Sequence, residues 1–203
     1  MSAAESFIEE YGSAAVRSCA GTGLLPSVVI AQAALETGWG KTVKKAANNM
    51  FGIKATPKWN GKVISLNTSE YSGGVKKSFA GTGKIYGSYA EAVSSGADTT
   101  TLFRAYGSVG ESLKDHNRLI TESERYKPVL AESTPEGQCD ALQKCGYSTS
   151  PTYSETLKSI IRQYGLSRYD NKKKVRTIAI AACLATAAVT AVILTYITVR
   201  KWN

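Results

Sequence analysis

Histidine is almost missing from this chain: His116 is the only one in 203 residues. One imidazole cannot assemble the multi-histidine ligand sets that hold catalytic zinc. The four cysteines do not make up the difference. Cys139 and Cys145 lie six apart without metal-like spacing, Cys19 closes the first helical stretch, and Cys183 falls inside an apolar run. This pattern indicates neither a metal centre nor a disulfide framework. It reads as free thiols, with a local Cys139–Cys145 bridge as the alternative. No metal and no cofactor is expected.

Acidic residues are missing from one end. All 16 lie at or before Asp170, whereas Lys172, Lys173, Lys174, Arg176, Arg200 and Lys201 follow it. The net charge of +9 therefore divides unevenly: residues 1–170 hold 19 basic against 16 acidic side chains, only +3. A nucleic-acid partner is not implied. Between the basic runs, "TIAIAACLATAAVTAVILTYITV" carries no charge from 177 to 199, and a helix crosses a bilayer with about 20 such residues. Basic and aromatic residues flank it, as at membrane interfaces. We read 1–170 as one folded domain, 171–176 as a basic linker, 177–199 as a transmembrane helix in contact with the lipid bilayer, and 200–203 as a short tail. The alanines and threonines of the span suit self-association. Four basic residues before it and two after favour a cytoplasmic domain. The amino terminus, "MSAAESFIEEYG", is acidic and amphipathic and does not read as a secretory signal.

Within residues 1–170 no repeat or low-complexity stretch appears. Residues 3–20 carry Phe7, Tyr11, Ala14, Ala15 and Ser18 at helical spacing. Pro26 opens a second helix, about 26–37, that is apolar nearly all round, as befits a central core helix. Residues 59–90 change to short β-branched and aromatic segments broken by glycine, a small sheet or hairpin lobe. Helical patterns return at about 90–106, 109–122, 134–144 and 153–164, with Thr134 a candidate cap. The fold class expected is α+β, mostly α.

One residue stands out against this background. Glu36 lies in "AQAALETGWG", a carboxylate at the end of an apolar helix beside a glycine-rich turn. Desolvation raises a carboxyl pKa and so keeps a glutamic acid protonated and able to donate. Cleavage of a glycosidic bond needs such an acid, because an alkoxide leaves poorly. Trp39 then offers a flat face for a sugar ring. Taken alone, a glutamate at a helix end is more often a cap or an ion-pair partner. Glu70 in "NTSEY" and Asp115 in "SLKDH" are the other carboxylates in suggestive places; each reads alternatively as a surface charge.

Together the motifs are more specific. "PSVVIAQAALETGWGK", "NNMFGIK", "TSEY", "LFRAYGSVGESLKDH" and "GYSTSPTY" with "LKSIIRQYGLSRYD" follow one another between about residues 5 and 170. In this order they resemble the lysozyme-like β-N-acetylglucosaminidases of glycoside hydrolase family 73. The resemblance implies a lysozyme-like domain with a small β-hairpin lobe, and peptidoglycan glycan strands as the partner. It implies Glu36 as the catalytic acid, Glu70 as a second carboxylate on the β-lobe, Asp115 on a helix facing the cleft, and Tyr147 near the acid. It places Trp39, Asn49, Phe51, Tyr106 and Tyr153 among the substrate-binding positions. Asn49 bonds an N-acetyl group or caps a turn, Phe51 reads as wall, and Trp59 is either a sugar platform or hairpin core. Ser150 stands where the family often has aspartate, which leaves the geometry of the Tyr147 loop open. The apolar segment 177–199 lies outside the resemblance, and a membrane-tethered lysin or autolysin is the function it suggests. A lytic transglycosylase and an inactive glycan-binding module are the rival readings.

Overall fold

The computed structural model describes residues 1–41, 47–72 and 75–170. The expected linker, membrane span and tail lie outside the described residues. Among those described, no helix is long and apolar enough to cross a membrane.

The first helix, α1 (Ala3–Ser18), starts where Ser2 and Glu5 bond each other's backbone amides in a capping box. Phe7, Ile8, Ala15 and Val16 form its buried face. The second, α2 (Pro26–Thr37), is buried on nearly every side: Val28, Val29, Ile30, Ala31, Ala33 and Ala34 are each 2% exposed or less. Later helices close around it: α4 (Val109–Thr121), α5 (Lys127–Ala131), α6 (Pro135–Lys144) and α7 (Tyr153–Gln163). α2 packs directly on α1, α6 and α7.

An apolar helix begun by Leu25-Pro26 brings no side-chain cap of its own. Distant residues supply it. The Ser27 amide donates to Asp170 at 2.8 Å and the Ser27 hydroxyl at 2.6 Å, while the Leu25 amide donates to Gln138 Oε1 at 3.0 Å. These bonds satisfy donors that a helix start otherwise leaves open. Asp170→Ala should therefore lower stability by about 1 kcal/mol, the usual cost of a lost N-terminal cap. Chemical denaturation of the full chain checks this, and an unchanged midpoint contradicts it.

The β-rich part forms two sheets. β1 (Val63–Ser65) is central and antiparallel to β4 (Ile85–Tyr86) and β5 (Leu102–Arg104). β2 (Thr68–Ser72) and β3 (Val75–Phe79) make a separate hairpin in which Glu70 faces Lys77. Gly81 returns the chain so close to the Leu66 backbone that a Cβ there would collide with it.

The expected helix over 90–106 is not observed as one element. α3 (Tyr89–Ser94) stops before Gly96, whose φ is +78°. Asp98 caps a 3₁₀ turn at Thr99–Thr101, and the chain then enters β5. Three consecutive β-branched threonines disfavour continuing a helix, and pairing of Ile64 with Phe103 settles the alternative. α5 lies between the expected helices 109–122 and 134–144 and has no counterpart among them. Cys19, Cys139 and Cys145 are all free thiols.

Candidate active site

The apolar character of α2 carries Glu36 to the rim of the core, and the turn after it fixes the exit. Gly38 and Trp39 are both left-handed, with φ of 55° and 62°. Their amides both donate to the Ala34 carbonyl, and the Thr37 hydroxyl donates to Ala33 O at 2.6 Å while accepting from the Gly40 amide at 2.8 Å. Left-handed backbone costs a residue with a Cβ about 1–2 kcal/mol. Trp39 is held there by edge contacts to Phe7 and Tyr164, with ring centroids 5.9 and 4.6 Å away. Its indole packs against the main core and does not line the pocket around Glu36.

That pocket has a volume of about 200 Å³ and is walled by Thr37, Asn49, Met50, Gly52, Leu66, Asn67 and Phe103 beside Glu36. Glu36 as a whole side chain is solvent-accessible. Its carboxyl nevertheless sits among protein atoms that displace water, and this desolvation raises its pKa above the ordinary glutamate value. Among the described residues Glu36 has no ion-pair partner. A group used in its acid form gives a rate that falls as pH rises through its pKa. The basic limb of the pH profile is therefore expected above the glutamate reference of about 4.3, measured as kcat against pH on purified glycan. A limb at the reference value contradicts the assignment.

Aromatic rings stand next to this acid. Phe51 stacks on His116 at 3.8 Å, the His116 ring meets Tyr147, and Tyr147 stacks on Tyr153 at 5.5 Å. Burial first, and then the negative charge of Glu36 among others, raises the pKa of both tyrosines, which places them within electrostatic reach of the acid. Gln32, one turn before Glu36 on the same helix, donates to the Tyr153 hydroxyl at 3.1 Å. Tyr147 and Tyr153 are thus near Glu36, Phe51 is joined to them through His116, and none of the three lines the pocket itself.

Other expected site residues have structural partners. Asn49 lines the pocket, yet its amide donates to the carbonyls of Ile53 and Arg104 and its oxygen accepts from the Ile53 amide. Both donors are committed to backbone carbonyls. Glu70 is on β2 and does not line the pocket; it pairs with Lys54 at 3.0 Å. Lys54 also lies 4.2 Å above the ring of Phe103, a pocket wall, and so ties the hairpin to the site. Asp115 is 7% exposed and takes Arg104 at 2.6 Å, Arg118 at 2.7 Å and the Tyr106 hydroxyl at 2.7 Å. With Tyr106 and Trp59 it lines a second hollow of about 330 Å³, not the pocket of Glu36. Trp59 packs against the small sheet's core under the guanidinium of Arg104.

Sequence reasoning missed Gln32, Lys54, Arg104 and the burial of His116. Only Gln32 had a local signal, its spacing of four from Glu36 on one helix face.

The sequence profile of the glucosaminidase family, described as mannosyl-glycoprotein endo-beta-N-acetylglucosaminidase, matches residues 12–166. The peptidoglycan hydrolase FlgJ of Salmonella typhimurium is 35% identical over 147 residues, covering 70% of this chain and 40% of that protein. The exo-glucosaminidase LytG of Bacillus subtilis is 32% identical over 153 residues, covering 72% and 46%. The chain thus spans less than half the length of these curated relatives. Among solved structures, the catalytic domain of the autolysin Auto from Listeria monocytogenes superposes with a TM-score of 0.67 at 28% identity, covering 84% of this chain and 89% of that one. The glycoside hydrolase domain of Salmonella typhimurium FlgJ, C-terminally truncated, gives 0.59 at 31% identity, covering 80% and 97%.

Proposed function

The chain belongs to the glucosaminidase family of glycoside hydrolases, and from that premise we propose that it cleaves the β-1,4 bond after N-acetylglucosamine in the glycan strand of bacterial peptidoglycan. Glu36 is the general acid that protonates the departing sugar oxygen. The observation that carries this reading is the desolvated carboxyl of Glu36 in a walled pocket at the end of α2. Glu70, held beside the pocket wall through Lys54, is the second carboxylate, positioned on the hairpin to assist water. Peptidoglycan as substrate is supported by the relatives whose names state it.

The apolar segment 177–199, with basic residues on both sides, supports a membrane tether for the domain. The charge bias favours a cytoplasmic domain that meets the wall once the membrane is breached. Protection of the domain from external protease in intact cells agrees with that orientation; complete digestion refutes it.

Mass spectrometry of muropeptides released by the protein tests the chemistry. A reducing N-acetylglucosamine end is expected, and anhydro-muramic ends would assign the chain to transglycosylation instead.

A further inference from the structure

His116 is the only histidine of the chain and is buried between Phe51 and Tyr147, yet no step described so far uses it. Resting on the proposed glycan site and on the expected place of Tyr147 near its acid, we propose that His116 is a positioning residue that takes the Tyr147 proton and leaves the hydroxyl oxygen as a hydrogen-bond acceptor.

The direction of the proton follows from a chain of bonds that begins on α1. The Ser18 hydroxyl donates to the Ala15 carbonyl at 2.8 Å, so its oxygen is left to accept. Asn117 Nδ2 donates to that oxygen at 3.0 Å and reaches Cys19 Sγ at 3.5 Å. Reversing this amide would set its oxygen against a hydroxyl whose proton is already committed. Asn117 Oδ1 is therefore the atom that faces His116 Nδ1 at 3.1 Å, and Nδ1 carries the hydrogen.

The ring itself is neutral. It is 2% exposed, stacked on Phe51, and burial lowers its pKa to about 4 despite the neighbouring Asp115. Asp115 is already paired with Arg104 and Arg118, and Glu36 on α2 is the other carboxyl near this wall. A neutral imidazole protonated at Nδ1 has a lone pair at Nε2, which stands 3.0 Å from the Tyr147 oxygen. Tyr147 donates its one proton there. Its oxygen then offers only lone pairs elsewhere, so it receives the N–H or O–H groups of a bound saccharide and is not a second acid.

Having a single histidine makes the test direct. In ¹⁵N-imidazole NMR of the full chain, His116 is expected as one neutral tautomer, protonated at Nδ1, from about pH 5 to about pH 8. Protonation at Nε2, or an imidazolium within that range, overturns the proposal. Kinetics add an independent arm. His116→Phe, which keeps the stack on Phe51, should lower kcat about tenfold with KM little changed. The same change made in a Tyr147→Phe background should cost nothing further, and His116→Gln, which restores an acceptor, should recover part of the loss. Wild-type kcat in His116→Phe, or equal losses in both backgrounds, overturns the positioning role. Should Glu36→Gln remain fully active, the glycan-site assignment fails, whereas the NMR result still judges the tautomer on its own.

Discussion

Glu36→Gln is expected to lose turnover of purified peptidoglycan by on the order of 10³-fold, within the span a positioned general acid contributes. Glutamine matches glutamic acid in shape and keeps its hydrogen-bonding ends, but it has no proton to give. The loss should therefore fall on kcat, with KM nearly constant, because contacts made equally by bound substrate and transition state survive. The fold should not suffer. The carboxyl occupies a desolvated place and lacks an ion pair among the described residues, so a neutral amide there removes a charge that burial disfavours. Release of soluble muropeptides measures the first effect and chemical denaturation the second. Turnover at the wild-type level would remove Glu36 from the chemistry.

Asp115→Ala should produce the largest loss of stability, about 3 kcal/mol, as expected when one partner of a buried charge pair is removed. Arg104 is only 12% exposed and lies over the Trp59 ring; without Asp115 it keeps a bond to the Lys54 carbonyl and loses its counter-charge. Tyr106 loses its acceptor in the same substitution. Burial alone would push the Asp115 pKa up, but the bonds from Tyr106, Arg104 and Arg118 outweigh it and leave the pKa lowered. A carboxyl with a lowered folded pKa stabilises above its unfolded value of about 3.9, and that contribution disappears as pH falls through the folded value. Asp115→Asn, which keeps the shape and one acceptor oxygen, should cost less. Denaturation midpoints separate the roles: activity lost together with stability marks Asp115 as a support, and activity lost at full stability would return it to the chemistry.

The parts of this molecule that were legible in the sequence are those written locally. Pro26, the apolar run broken only by Gln32 and the glycines around Trp39 bound α2 at 26–37, and the structure begins and ends the helix there. Thr134 accepts the Gly137 amide as a cap should. Thr99–Leu102 failed the same treatment because β5 is decided by β1, some forty residues earlier in the chain. Asp115 and Glu70 looked alike as exposed carboxylates, and what distinguishes them is tertiary: the first is enclosed by two arginines, the second pairs with Lys54 at the surface. Trp39 shows how residue type misleads. Its indole suits a sugar, but a left-handed backbone turns it onto Phe7 and Tyr164.

The state of one proton is the centre of this account, and it is directly observable. Carboxyl ¹³C NMR of glutamate-labelled protein, with Glu36→Gln identifying the resonance, gives the titration midpoint of Glu36 in the folded chain. A midpoint above the ordinary glutamate value is predicted from the desolvated carboxyl. A midpoint at or below that value would mean a carboxylate already ionised where an acid is required, and would contradict the account.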